Sequence, residues 1–345
     1  LLQTIHSANL DSNNTDEKSW LIYGDSELIK ANVSPQRFRD KLGTESDVVV
    51  FTEQQLTVDA FAALSGTLVA GGILFLLIND MALVKQSNFF KRFFSLLKGY
   101  SEHVILEQAA LFFPLLKPIS KVSDKRLINS VRATRPQALT YGCVTQEQVS
   151  AVEAITHVIK GKSKRPLVLT ADRGRGKSSA LAIACAQLLA AAKNENKLHI
   201  IITAAALNSV HVFFSQLAES LPQGHQDGNR FVALYGFVEF IAVDQLLKLQ
   251  PKASLVLVDE AAAIPVYLLE QLLCHHARLV FTSTIHGYEG AGRGFTLKFQ
   301  QALTASFPQW RSLHINEPIR WRSGDPLEQL VFDTCLLNAE LPSLC

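Results

Sequence analysis

Between Pro166 and Ala192 the chain runs through a short apolar strand, a glycine-bearing turn, Lys-Ser and a long apolar helix, and few folds accept that order. Leu167–Leu169 has the length of a buried strand, and Gly174 and Gly176 lie two apart just before Lys177 and Ser178. The pattern from Ala180 to Ala192 then reads as helix. This is how a phosphate-binding loop is built. Glycines let the backbone turn its N–H groups toward phosphate oxygens, and the helix N-terminus adds partial positive charge. Lys177 would reach the β- and γ-phosphates, and the Ser178 hydroxyl would hold Mg²⁺. The first glycine of the G-x-x-x-x-G-K-[ST] pattern falls at Ala171.

A second signal lies about eighty residues downstream, where Leu255–Glu260 reads LVLVDE. An apolar strand there delivers two carboxylates to its carboxyl end, the edge at which ligands gather in open α/β sheets. Asp259 would complete the Mg²⁺ shell, and Glu260 would orient or deprotonate an attacking water. Strands are also expected at His199–Thr203, Phe240–Val243 and Leu279–Ser283, with a polar loop at Gln223–Arg230. Thr145 reads as the N-cap of a helix carrying Gln148, whose amide suits both a donor and an acceptor on an adenine edge. His286–Phe295 reads as a glycine-rich, nucleotide- or RNA-sensing loop with Glu289 and Arg293. Arg320, beside Trp321, is either a γ-phosphate sensor or a structural arginine stacked on the indole.

At 345 residues the chain has room for two or three domains. Hydrophobic residues make up 48% and charged residues 19%, as in a globular protein with ample core. A net charge of +2 excludes bulk basic character, so contact with nucleic acid needs a local patch. The five cysteines contain no C-x-x-C, which favours reduced thiols in a cytoplasmic protein over disulfides or zinc. Cys274-His275-His276 resembles a metal motif, but consecutive helical residues point apart. Upstream, strands are expected at Trp20–Tyr23, Asp47–Phe51, Ile73–Ile78 and His103–Leu106, with helices at Val58–Ala70 and Phe89–Leu97. Phe61–Ile78 is eighteen residues without a charge, yet its glycines divide it into helix and strand rather than a membrane span. Residues 117–137 turn basic and read as a connection between two α/β regions, or as a surface that meets nucleic acid.

TADRGRGKSSAL, LVLVDEAAAIP, TSTIHGYEGAGRGF and EPIRW, in this order, resemble the bacterial tRNA(Met) cytidine acetyltransferase family, and FAALSGTL extends the match upstream. The resemblance implies an α/β fold with two parts. A small N-terminal Rossmann-like parallel-sheet domain would occupy 1–130, and a RecA-like P-loop ATPase domain of helicase type 131–345. It implies ATP and Mg²⁺ as cofactors and tRNA(Met) as partner, with no membrane association. Acetyl-CoA would be used by a covalently linked acetyltransferase domain in full-length relatives, to form N4-acetylcytidine at the wobble position. Carried over by position, Gln148 matches the adenine-side glutamine. Arg173 and the run Gly174–Ser179, including Arg175, Gly176, Lys177, Ser178 and Ser179, match the phosphate loop, and Arg320 the ATP-contacting arginine. Alanine at 171 belongs to the family pattern, whereas His286 (for glutamine) and Val243 (for proline) depart from it. The chain ends near where the acetyltransferase domain would begin, so the nucleotide-driven half alone is expected. Two other readings are an independent RecD-type helicase and a scaffold with a residual nucleotide site.

Overall fold

A computed structural model describes residues 19–25, 29–41, 44–52, 56–78, 87–100, 103, 105, 139–193, 197–205, 210–285 and 291–337, with the backbone alone for 291–297. The first unit is a parallel sheet in the order β1 (Trp20–Tyr23), β2 (Ser46–Thr52), β3 (Leu68–Leu77). Helix α1 (Val58–Ser65), capped by the Thr57 hydroxyl, lies between β2 and β3, and α2 (Asn88–Leu97) follows. Tyr23, Phe51, Phe61 and Phe93 pack in series in its core, edge to face between Tyr23 and Phe51 and between Phe61 and Phe93, and tilted between Phe51 and Phe61.

The helix expected at Val58–Ala70 stops at Ser65, and β3 begins at Leu68. Ser46 pairs with Leu68, and two residues later Val48 pairs with Ile73, so the excess chain of β3 forms a bulge. Gly71 holds φ +80° there, and a Cβ on Gly72 would come within 2.7 Å of the Asp47 carbonyl oxygen. Glycine pairs read as helix stops also permit bulged strands. The strand expected at His103–Leu106 lies largely outside the described residues, as does the basic connection at 117–137.

The second unit begins with α3 (Gln146–Lys160), capped by Thr145 as expected, and β4 (Leu167–Ala171), whose five residues are all buried. It continues through α4 (Lys177–Ala191), β5 (Leu198–Thr203), α5 (His211–Ser220), β6 (His225–Asp227), β7 (Arg230–Ala233), β8 (Gly236–Phe240) and α6 (Val243–Leu249). Then come β9 (Leu255–Val258), α7 (Val266–His275), β10 (Leu279–Thr284), α8 (Ala291–Ser306), β11 (Arg311–Ile315) and α9 (Pro326–Cys335). Eight strands form one sheet in the order β11-β4-β10-β9-β5-β8-β7-β6, of which β11 through β8 run parallel. The polar loop expected at Gln223–Arg230 is instead an antiparallel addition, β6 paired with β7. Val243 starts α6, a first-turn position that also suits the proline the family pattern has there.

Side-chain alternation divides the core in two. Leu167, Leu169, Ile200, Ile202, Leu255 and Leu257 face α3, α4 and α5. Val168, Ile201, Val256, Val258 and Phe281 face α6, α7 and α8. Because β4 has β10 on one side and β11 on the other, the chain after β4 leaves the sheet at a topological switch point.

Helix α9 returns to the first unit, where Leu330 and Val331 are buried in the same cluster as Phe61 and Phe93. Each such burial contributes about 1.5–3 kcal/mol. Arg92 Nη2 donates to the Asp333 carbonyl oxygen at 2.8 Å, and the Tyr100 hydroxyl to the Asp333 carboxylate. Upstream of α9, Trp321 Nε1 donates to the Leu68 carbonyl oxygen at 2.8 Å. The two units therefore meet along α9 and the segment before it. No helix among the described residues is long and apolar enough to cross a membrane.

Candidate functional site

The turn between β4 and α4 needs its two glycines. Gly174 and Gly176 hold φ +74° and +72°, in the left-handed region that side chains rarely enter. A Cβ on Gly176 would lie 2.5 Å from Ile319 Cδ1 and 3.0 Å from Gln148 Nε2, so the loop also passes too close to its neighbours for a side chain. Gly176 is the N-cap of α4 and offers no side chain to its first-turn N–H groups. Those groups have no acceptor within the helix. This is a cradle of backbone donors, and it fits the phosphates of a nucleotide.

Lys177 is buried and folded back, with Nζ donating to the Asp172 carbonyl oxygen at 3.2 Å. Ser178 Oγ donates to Asp259 Oδ2 at 2.7 Å. Asp259 is fully buried at the end of β9, and its other oxygen accepts from Thr282 Oγ1 and, at 3.0 Å, from the Glu260 N–H. Burial first, and then the neighbouring Glu260 carboxylate, raise the Asp259 pKa, against the hydrogen bonds from Thr282 and Ser178 and the attraction of Lys177. A hydroxyl and a carboxylate in contact form the hard-oxygen donor set that Mg²⁺ takes, and its charge would reverse the raised pKa. The residues fit the ion.

Glu260 sits at φ +48°, so the chain turns sharply after Asp259. Its carboxylate accepts from Thr284 Oγ1 at 3.0 Å and its N–H donates to Thr282 Oγ1 at 3.2 Å. The two threonines are alternate residues of β10, whose pairing with β9 places them beside the acid pair. Sequence reasoning assigns them no role in the TSTIHG motif. The signal that could have found them is alternate hydroxyls on the strand next to the acids.

The remaining candidates lie around the loop in different ways. Gln148 is buried beside Gly176, and its Oε1 accepts from the Val144 N–H at 2.9 Å. Arg173 Nη1 donates to the Ala63 carbonyl oxygen at 3.3 Å, on α1 of the first unit. Arg175 Nη1 lies 2.8 Å from Glu328 Oε1, at the start of α9. Ile319 and Arg320 both donate their backbone N–H to the Gly174 carbonyl oxygen, at 2.9 and 3.1 Å. The Arg320 guanidinium reaches the Gly66 carbonyl oxygen and Glu45. The loop is thus held by both units. Ser179 lies in the first turn of α4.

Residues 286–290 lie outside the described set, which leaves Glu289 unplaced, and 291–295 open α8 rather than continuing a loop. Among the described residues no cluster of His, Cys, Asp and Glu could hold a metal, Cys274-His275-His276 included. The described cysteines, Cys143, Cys185, Cys274 and Cys335, are free.

Residues 168–338 match the model for the helicase domain of the RNA cytidine acetyltransferase NAT10/TcmA, and residues 2–108 match the N-terminal model of the tRNA(Met) cytidine acetyltransferase TmcA. The chain is similar to the tRNA(Met) cytidine acetyltransferase TmcA of Vibrio cholerae, 37% identical over 95% of this chain and 43% of the relative. The TmcA of Nitrosococcus halophilus is also 37% identical, over 86% of this chain and 41% of its own. The chain therefore spans less than half the length of these relatives. Among solved structures, the large terminase of a thermophilic bacteriophage aligns over 50% of this chain and 45% of its own, at 11% identity and a TM-score of 0.38.

Proposed function

Since the chain belongs to the tRNA(Met) cytidine acetyltransferase family, we propose that its β4–α4 loop binds and hydrolyses ATP in support of RNA acetylation. The observation that carries this reading is the contact of Ser178 Oγ with Asp259 Oδ2 beside the uncapped N-terminus of α4. Backbone N–H groups of Gly174–Ser179, with Arg173 and Arg175 contributing main chain, would receive the phosphates. Lys177 would leave the Asp172 carbonyl for the β- and γ-phosphate oxygens. Ser178 and Asp259 would hold Mg²⁺, which supplies neutralisation of phosphate charge. Glu260, positioned by Thr284, would orient the attacking water.

Gln148 would read the adenine edge with its Nε2. Arg320, already beside Gly174, would exchange the Gly66 carbonyl for a γ-phosphate oxygen. The two units would correspond to an N-terminal domain at 1–130 and an ATPase domain at 131–345. Acetyl-CoA use and cytidine acetylation on tRNA(Met) would belong to full-length relatives, through a linked acetyltransferase domain. The setting would be cytoplasmic.

ATP turnover by the full chain, measured alone, with a tRNA(Met) transcript and with single-stranded DNA, tests this reading. Stimulation by the transcript is expected. Stimulation by DNA alone would favour an independent RecD-type helicase, and absence of turnover a scaffold.

A further inference from the structure

We propose that the amino-end face of the larger sheet, opposite the nucleotide loop, is a docking surface for the phosphate backbone of RNA. The proposal rests on the reading above that an RNA is this chain's partner. Three neighbouring segments build the face. The 161–165 loop leads from α3 into β4, Arg311 opens β11, and Arg278 leads into β10. They are stitched together by the Lys164 N–H on the Ala277 carbonyl oxygen at 2.8 Å, the Arg311 N–H on that of Pro166 at 2.9 Å, and Arg278 Nη2 on that of Gly161 at 3.4 Å. The face gathers His157, Lys162, Lys164, Arg165, Arg278 and Arg311.

Among the described residues, none of these six forms an ion pair with a carboxylate. In a chain of net charge +2 the uncompensated charge here is a local feature. His157, Lys162, Arg165 and Arg311 line a small surface cleft of about 20 Å³, so the face would meet a ligand as a charged surface rather than as a pocket. Arg278 Nε is buried beside it without a hydrogen-bond partner among the described residues. Lys164 holds φ +58°, so the loop presenting Lys162 and Lys164 is fixed in a conformation that favours glycine.

His157 lies in the last turn of α3, a position that suits basic side chains. Arg165 Nε donates to Gln309 Oε1 at 2.7 Å, whereas Lys162, Lys164 and Arg311 lie beyond the helix ends, in the approaches to the strands, and need another reason. A polyanion supplies one. Phosphates spaced along a backbone release counterions to a row of lysines and arginines and need no base contact. Since this face lies at the opposite end of β4 from Gly174–Ser179, RNA bound here would not compete with nucleotide.

The test is the affinity of the full chain for a labelled tRNA(Met) transcript across a salt series, read by fluorescence anisotropy. A Lys162→Glu/Lys164→Glu variant changes two exposed side chains and leaves the nucleotide site untouched. It should bind at least ~10-fold more weakly, with a log–log salt slope reduced by about 2. Its ATP turnover without RNA should be unchanged. Lys41→Glu/Lys98→Glu, equally exposed but on the first unit, is the control and should bind nearly as the parent does. Equal affinity and slope for the first variant, or equal losses in both, would overturn the surface assignment alone. If the unaltered chain binds no transcript, the reading of RNA as partner fails, and this proposal with it.

Discussion

Arg175, in the middle of the Gly174–Ser179 loop, is paired with Glu328 on the helix that packs against the first unit, at 2.8 Å and with both side chains largely buried. The same Nη1 also donates to the Arg173 carbonyl oxygen at 3.1 Å, bracing the loop from within. Removing one partner of a buried pair strands the other's charge, at a cost of about 3–5 kcal/mol, whereas replacing both by apolar side chains is often nearly neutral. Glu328→Gln should therefore lower Tm by several degrees, and Arg175→Met/Glu328→Met should recover most of the loss. If the Arg175 side chain serves the loop's shape, the double variant keeps nucleotide affinity within about threefold. A loss of tenfold or more, about 1.4 kcal/mol, would make Arg175 a phosphate ligand in its own right.

Asp259 shows the tension between stability and function. Its pKa is raised by burial and by Glu260. The stability such a group contributes is complete below the ordinary carboxylate pKa and is lost as pH rises through the raised folded value. At neutral pH the charged form is thus a burden on the nucleotide-free protein. Asp259→Asn keeps an oxygen for Thr282 and the Glu260 N–H and can turn its amide N–H toward Ser178. Differential scanning calorimetry without nucleotide should show a higher Tm for the variant at pH 7 and a gap that closes toward about pH 4. Mg²⁺-dependent ATP turnover should be lost. A variant less stable than the parent at pH 7 would contradict the electrostatic account.

Glu260 and Thr284 should separate chemistry from binding. Glu260→Gln preserves volume and removes charge, so ATP should still bind while turnover falls at least ~100-fold. Thr284→Val removes the hydroxyl that holds the carboxylate. It should lower kcat about tenfold with KM little changed, and Thr284→Ser should restore it. Normal turnover in the Glu260 variant would move the water-orienting role elsewhere, with Glu289 next in line.

What could be read from the residues was local, and what could not was remote. Gly174, Gly176, Lys177 and Ser178 lie within five residues, and Asp259 and Glu260 follow an apolar strand, so both halves of the candidate site are visible in the sequence. Nothing near Arg175 points to Glu328, 153 residues away, and nothing near Trp321 to the Leu68 carbonyl, 253 residues away. Helix α9 has an ordinary amphipathic pattern that tells which face is apolar but not which unit it covers. The α1–β3 boundary differs from expectation because paired glycines serve a helix stop and a strand bulge equally well. Arg320 beside Trp321 leaves two readings open, phosphate sensor or structural arginine, because the two neighbours turn to different partners. The indole is hydrogen-bonded to the first unit, and the arginine backbone rests on Gly174.

The central claim is that the Gly174–Ser179 turn is a nucleotide site with Lys177 as its cation. Calorimetric titration of Mg·ATP into the full chain and into its Lys177→Ala variant tests it most directly. Lys177 donates a hydrogen bond to the carbonyl of Asp172 and also attracts the buried Asp259 carboxylate, so circular dichroism and Tm of the variant are measured alongside. A charge-assisted contact of about 1.5–3 kcal/mol predicts affinity reduced roughly ten- to a hundredfold. Equal affinity in parent and variant, with the fold intact in both, would contradict the account.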